Sequence, residues 1–312
     1  MRIGISACLL GEQVRFDGGH KRDGFLVDTL GKYVEWVPVC PEVEVGMGTP
    51  REAVRLVGRP DALQMLGVRS GADHTEAMVR YARRRVEALA AVDLCGYVLK
   101  KDSPSCGMER VKIYGAHGMP ARQGRGLFAS ALLARLPDLP VEEEGRLSDP
   151  RLRENFIERI FAYRRLRDLF GGRWTVGALV AFHTRHKLVL MAHAPRAYQD
   201  LGRFVAGASR LPHQEILATY PAAFMAALKV MATPKRHTNV LQHMVGYFKR
   251  TLDAASRDEL LQTIEDYRQG LVPLVVPLTL VRHYVRQLGV AYLADQVYLE
   301  PHPKELMLRN HV

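Results

Sequence analysis

Apolar residues in the first 150 positions come in short runs separated by polar loops, whereas beyond position 151 they recur every three or four residues. The early runs read as strands over 2–7, 34–39 and 92–99. Asp73-His74-Thr75-Glu76 opens a basic amphipathic stretch through Ala91, which predicts an N-capped helix. Gly124-Arg125-Gly126-Leu127 then leads into a short helix ending before Pro137. Alternation of this kind predicts an α/β domain built on an open, mostly parallel sheet, with its ligand site at the carboxyl ends of the strands. Residues 137–150 hold three prolines, Glu142-Glu143-Glu144 and Gly145, and read as a linker. Further on, Phe156, Ile160, Tyr163, Leu166 and Leu169 keep a helical spacing. Breaks are expected at Gly171-Gly172, Pro195, Pro212, Pro221, Pro234, Pro273 and Pro277, which predicts an all-α C-terminal domain of six to eight helices. The expected domains are 1–148 and 149–312. No internal repeat or low-complexity tract stands out.

A length of 312 residues suits two cores. No apolar run approaches the roughly 20 residues needed to span a bilayer, and the apolar part of the opening Met1-Arg2-Ile3-Gly4-Ile5-Ser6 is too short for a signal peptide. A cytoplasmic protein without membrane contact is therefore expected. The net charge of +11 is unevenly spread. Positions 1–150 carry 21 Lys and Arg against 20 Asp and Glu, and positions 151–312 carry 23 against 13. Clustered cations favour a polyanionic partner by counterion release, although a basic helical domain with no such partner has the same composition. Lys235, Arg236, His237, Lys249 and Arg250 are the candidate contacts to an RNA backbone. Nine of the twelve histidines also fall in this half, without the Cys or carboxylate company of a second metal site, so core or phosphate-facing roles are expected for them.

The four cysteines, Cys8, Cys40, Cys95 and Cys106, all lie in the first half and are too few for a disulfide scaffold. Cys8 follows the first strand directly and Cys40 the second. Cys106 lies in the loop after the third, within Lys100-Lys101-Asp102-Ser103-Pro104-Ser105-Cys106-Gly107. In a parallel sheet these loops share one edge, so three thiols distant in sequence can meet in space. Three thiolates on a 4Fe-4S cluster leave one iron open, and a catalytic zinc also keeps a free position, so the thiols alone do not choose the metal. Cys95 sits inside an apolar strand and reads as a core residue. Glu42, two residues beyond Cys40, is a candidate general acid/base, or else a surface carboxylate. Ser103 and Ser105 offer hydroxyls to a substrate or cluster sulfur, or are ordinary turn serines.

Three ordered motifs resemble the thiouracil desulfidase family: Ser6-Ala7-Cys8-Leu9-Leu10-Gly11 with Val14-Arg15-Phe16-Asp17-Gly18; Pro38-Val39-Cys40-Pro41-Glu42 with Gly46 and Pro50-Arg51; and Ser103-Pro104-Ser105-Cys106-Gly107. The resemblance covers about the first half. It implies a 4Fe-4S cluster on Cys8, Cys40 and Cys106, a catalytic Glu42 and an active-site Ser103. Ser105, Arg15, Asp17 and Lys101, in or beside these motifs, are the candidate substrate contacts. The second half resembles the helical domain of YbgA-like proteins through segments at His186 to His193, Pro234 to His243, Gly246 to Lys249 and Pro301 to Leu306. Fusions of the two resemble tRNA 4-thiouridine desulfidases, which implies a thiolated tRNA as partner and RNA binding by the helical half.

Three other readings compete. Sulfur insertion into tRNA would need ATP, yet Arg69-Ser70-Gly71-Ala72-Asp73-His74 lacks the second glycine and the serine of an ATP pyrophosphatase loop. A redox-sensing or RNA-binding protein with a non-catalytic cluster would leave Glu42 dispensable. Action on free thiouracil would leave the basic half for some other partner.

Overall fold

The computed structural model describes residues 1–115 and 119–311. Its chain forms two compact units, Met1–Asp149 and Pro150–Val312. The first carries strands β1 (Arg2–Ser6), β2 (Glu35–Val39), β3 (Val54–Arg59), β4 (Ala62–Gly67), β5 (Leu94–Leu99), β6 (Val111–Tyr114), β7 (Pro120–Gly124) and β8 (Val141–Glu143), with helices α1 (Thr75–Ala90) and α2 (Leu127–Arg135).

The main sheet has the order β2-β1-β5-β8 and is parallel throughout. All six residues of β5 are buried, as a central strand covered on both faces requires. Gly4 on β1 is demanded by that packing, because a Cβ there would stand 2.2 Å from the Tyr97 ring. On α1, Met78, Tyr81, Ala82, Val86 and Leu89 form the buried stripe. The expected side-chain cap is not made: His74 holds the capping position without one, and Asp73 before it accepts the Thr75 N–H at 2.8 Å.

Two features depart from the sequence reading. The stretch expected as a linker contains β8, the fourth strand of the main sheet, with Tyr97 opposite Val141. Its acidic run is buried because each carboxylate has partners: Glu142 accepts from Arg146 Nε at 2.7 Å, Glu143 from the Met108 N–H at 2.7 Å, and Glu144 from the Lys101 N–H at 2.8 Å and from Lys100. A second, mixed sheet, β4-β3-β6-β7, was not foreseen. Its strand β7, PARQG, is exposed at four of five positions and carries no hydrophobic alternation to read.

Among the described residues, the second unit is helical: α3 (Pro150–Phe170), α4 (Val176–His193), α5 (Pro195–Gly207), α6 (His213–Lys229), α7 (Pro234–Val245), α8 (Ala254–Arg268), α9 (Val275–Gln287) and the single turn α10 (Ala291–Ala294). Pro195 and Pro234 occupy first-turn positions, where a missing N–H costs nothing. Pro221 does not break the chain as expected. It lies inside α6, whose buried face of Ile216, Tyr220, Phe224 and Leu228 holds the helix together across it. Pro277 likewise falls inside α9, at its third residue, where the helix has yet to need that N–H. His183 and His186 are core residues: burial drives them down to about 4 and about 3, and their Nδ1 atoms meet Tyr220 Oη at 3.1 Å and Phe182 O at 2.7 Å. No single helix among the described residues is long and apolar enough to cross a membrane.

Candidate active site and metal centre

The chain passes from β1 to its neighbour β2 and later returns to β5 on the other side of β1. A crevice opens where a parallel sheet changes direction in this way, beyond the carboxyl ends of the strands. Here the crevice is a cavity of about 400 Å³ whose wall includes Cys8, Cys40 and Cys106 together with Glu42, Ser103 and Ser105. Cys95, fully buried within β5, is not part of that wall.

Each thiol is placed by backbone. Cys8 lies in the turn directly after β1, closed by Gly11 at φ 100°, and its carbonyl accepts the Lys21 N–H at 2.9 Å. Cys40 follows β2 and donates its N–H to Glu44 Oε1 at 3.1 Å, while Glu44 is itself held by Tyr81 Oη at 2.7 Å and paired with Arg85 at 3.1 Å. The Cys106 loop sits against the start of α2, where Phe128 and Ala129 donate N–H groups to Ser105 O at 3.0 and 3.1 Å. Gly126 permits this approach, since a Cβ would fall 2.3 Å from Ser105 O.

Burial pushes the Cys8 thiol up to about 11 and Cys106 up to about 12, and raises Cys40 as well. Lys100 opposes the rise at Cys8, and hydrogen bonds from Ser6 and Ser105 oppose it at Cys106. Among the described residues, no group of three His, Cys, Asp or Glu side chains is placed to hold a metal ion as it stands. The three thiols that line the cavity are soft donors, which suit a thiophilic group rather than a hard cation.

Glu42 is gripped from two sides. Arg51 donates from Nε at 3.1 Å and Nη2 at 2.7 Å to Oε2, and its Nη1 reaches the carbonyls of Val14 at 3.0 Å and Gly48 at 2.9 Å. On the other side Ser105 Oγ donates to Oε1 at 2.7 Å. Ser103 Oγ is 3.5 Å from that oxygen and accepts the N–H groups of Ser105 and Cys106 at 3.3 and 3.1 Å. Ser103 therefore shapes the cysteine loop, and Ser105 is the hydroxyl nearest the carboxylate.

Arg15 and Lys101 line the cavity as expected substrate contacts would. Asp17 does not. Its carboxylate accepts the Gly19 N–H at 3.0 Å and pairs with Arg15 at 3.5 Å, so it is consumed in shaping its own loop. Two residues quoted only as motif members emerge as wall residues: Arg51, and Phe16, an aromatic ring left 41% exposed. The Arg51 N–H donates to Phe16 O at 2.9 Å, tying the two loops together.

In the second unit, Lys235, Lys249 and Arg250 are exposed. Arg236 and His237, expected beside them as RNA contacts, are turned inward. Arg236 Nη1 donates to His193 O at 2.6 Å and Met231 O at 3.2 Å, and buried His237 meets Tyr298 Oη at 2.7 Å. Both sit at the first turn of α7, where the helix face points into the core.

Comparison with known proteins matches the two units separately. Residues 3–144 match the family model for 2-thiouracil desulfurase, and residues 187–303 match that for a protein of unknown function, DUF1722. The uncharacterized protein YbgA of Escherichia coli (strain K12) is 36% identical over 161 residues, which cover 51% of this chain and 95% of that protein. The uncharacterized protein YbbK of Bacillus subtilis (strain 168) is 30% identical over 111 residues, 33% of this chain and 71% of that protein. Among solved structures, the 4Fe-4S-dependent thiouracil desulfidase TudS aligns at 32% identity and a TM-score of 0.38, over 47% of this chain and 93% of that one. The chain thus belongs through its first unit to the 2-thiouracil desulfurase family and through its second to the YbgA-like DUF1722 family.

Proposed function

We propose that the chain removes sulfur from a thiolated pyrimidine, and that its substrate is 4-thiouridine in tRNA. The observation that carries this reading is the arrival of three cysteines, from three separate strand ends, in one cavity with a held carboxylate. Cys8, Cys40 and Cys106 would hold a 4Fe-4S cluster, a donor set that fits the size of the cavity and the softness of sulfur. With three thiolate ligands such a cluster supplies an open, soft Lewis-acid site for a thiocarbonyl sulfur.

The protein's own residues account for the rest. Phe16 offers a face on which a pyrimidine ring stacks. Glu42 takes a proton from a water that attacks the ring carbon, and the oxygen of that water becomes the new carbonyl. Ser105, donating to Glu42, fixes which carboxylate oxygen faces the water, while Arg51 fixes the other. Arg15 and Lys101 offset the negative charge that accumulates as sulfur departs. The exchange converts C=S and water into C=O and hydrosulfide plus a proton, with no net redox change and no need for ATP. Exposed cations of the second unit hold the RNA backbone.

Anaerobic incubation of iron-reconstituted protein with 4-thiouridine-containing tRNA tests this directly. Loss of near-ultraviolet thiocarbonyl absorbance with one sulfide released per base is expected. Persistence of the thiocarbonyl, or a requirement for ATP, contradicts it. The family description favours a second substrate, free thiouracil, which the cavity also has room for. Turnover of tRNA should fall steeply with added salt and that of the free base should not.

A further inference from the structure

The second unit contains a cavity of about 240 Å³ that the desulfidation reading leaves unused. Its lining includes His193, Pro234 and His237, from two of the segments that carry the resemblance to YbgA-like proteins. One part of the lining is charged and buried. Glu154 and Glu158 stand one turn apart on α3; Arg309 Nε donates to Glu154 Oε1 at 3.1 Å, and His193 Nε2 lies 3.4 Å from Glu158 Oε2. Arg309 is only 6% exposed, with Nη1 donating to Tyr298 O at 2.7 Å and its guanidinium over the Tyr298 ring at 5.0 Å. Its Nη2 has no hydrogen-bond partner among the described residues and stands 3.9 Å from Glu158 Oε1. That donor faces the Glu158 charge, so Arg309, Glu154 and Glu158 form one buried ion network in the cavity wall. Burial lifts Glu154 to about 7, so its carboxyl can offer either a donor or an acceptor.

Another part of the lining is apolar and aromatic: Met231, Ala232, Val272, Leu274 and the ring of Tyr267. Two carboxylates disfavour a bare anion. Among the described residues no cluster of three metal-ligating groups forms, and Arg309 already supplies the cation that these carboxylates need. A flat ring whose edge carries both donors and acceptors satisfies the apolar and polar parts together. The exposed side chains of Arg151 and of Arg268, which is paired with Glu265, also line the cavity, with Asn155, Gln269 and His311.

We propose that this cavity is a base pocket, taking one unstacked nucleobase of the RNA partner; the inference rests on the RNA-binding part of the proposed function. The test is isothermal titration calorimetry of the full chain with each of the four ribonucleoside 5′-monophosphates, with ribose 5-phosphate and inorganic phosphate as controls. At least one nucleotide should bind about 10-fold more tightly than ribose 5-phosphate, and Tyr267→Leu and Glu154→Gln should each weaken it about 5-fold or more. Circular dichroism and melting establish that both variants are folded. Equal binding of nucleotides and ribose 5-phosphate overturns the proposal, as does nucleotide binding unchanged in both folded variants. Binding of whole tRNA, titrated alongside, separates the two readings: tRNA bound without any nucleotide preference overturns the pocket alone, and no tRNA bound overturns the RNA reading on which it rests.

Discussion

At Glu42 the side chains divide the labour: Arg51 fixes one carboxylate oxygen and Ser105 the other. Glu42→Gln keeps the shape and removes the base, so sulfide release should fall by about 10²- to 10⁴-fold while the iron content of the reconstituted protein is unchanged. Arg51→Ala leaves a carboxylate that is only 12% exposed without its cation, and unfolding in urea should show a loss of about 3–5 kcal/mol. Arg51→Lys keeps the charge but not the two-pronged grip, and should recover part of the stability with little of the rate. Ser105→Ala should reduce kcat more than Ser103→Ala does, because the Ser105 hydroxyl is the one 2.7 Å from Glu42. A larger kcat effect at Ser103 would return the catalytic role to that residue. Cysteine and glutamate positions were legible in the sequence, because motif and strand ends coincide there. The grip of Arg51 was not, since it spans Val14, Glu42 and Gly48, which only the folded chain brings together.

At the scale of elements, the sheet edge decides where the thiols go. The Cys106 loop depends on Gly126, and Gly126→Ala must move either Ser105 O or the start of α2. We expect that variant to fold with about 1–3 kcal/mol less stability and to retain less iron after reconstitution, read by denaturant melts and iron assay. Full iron retention would show that the loop tolerates the shift. Strands β1, β2 and β5 were readable because runs such as Leu94–Leu99 are apolar throughout and end at loops. Strand β8 was not, because Glu142-Glu143-Glu144 carries the signature of a solvated linker, and, apart from nearby Arg146, the Met108 and Lys101 groups that receive it lie far back in the chain. Helix α6 misled in the opposite sense: a proline is a local signal, and tertiary packing around Tyr220 and Phe224 overrode it.

For the whole molecule, the two units carry separate chemistry and separate sensitivities. His183, His186, His237 and His302 are held neutral, lowered by burial to about 4, 3, 3 and 4. Each contributes stability that is present above the unfolded value near 6.5 and is lost as pH falls towards the folded values, because the unfolded chain takes up the protons first. Glu154 and His193, both raised, act the other way as pH falls from neutrality, but they are two against four. The melting temperature of the helical unit should therefore drop between pH 7.5 and pH 5, and a flat or rising profile would contradict that balance. One metallocentre held by three thiols carries the proposed function, and iron content tests it. Cys8→Ser, Cys40→Ser, Cys106→Ser and Cys95→Ala chains, reconstituted and purified without oxygen, are assayed for iron per chain and for sulfide released from thiolated tRNA. The first three should lose both, and Cys95→Ala should keep both; full iron and full activity in any of the first three would contradict the account.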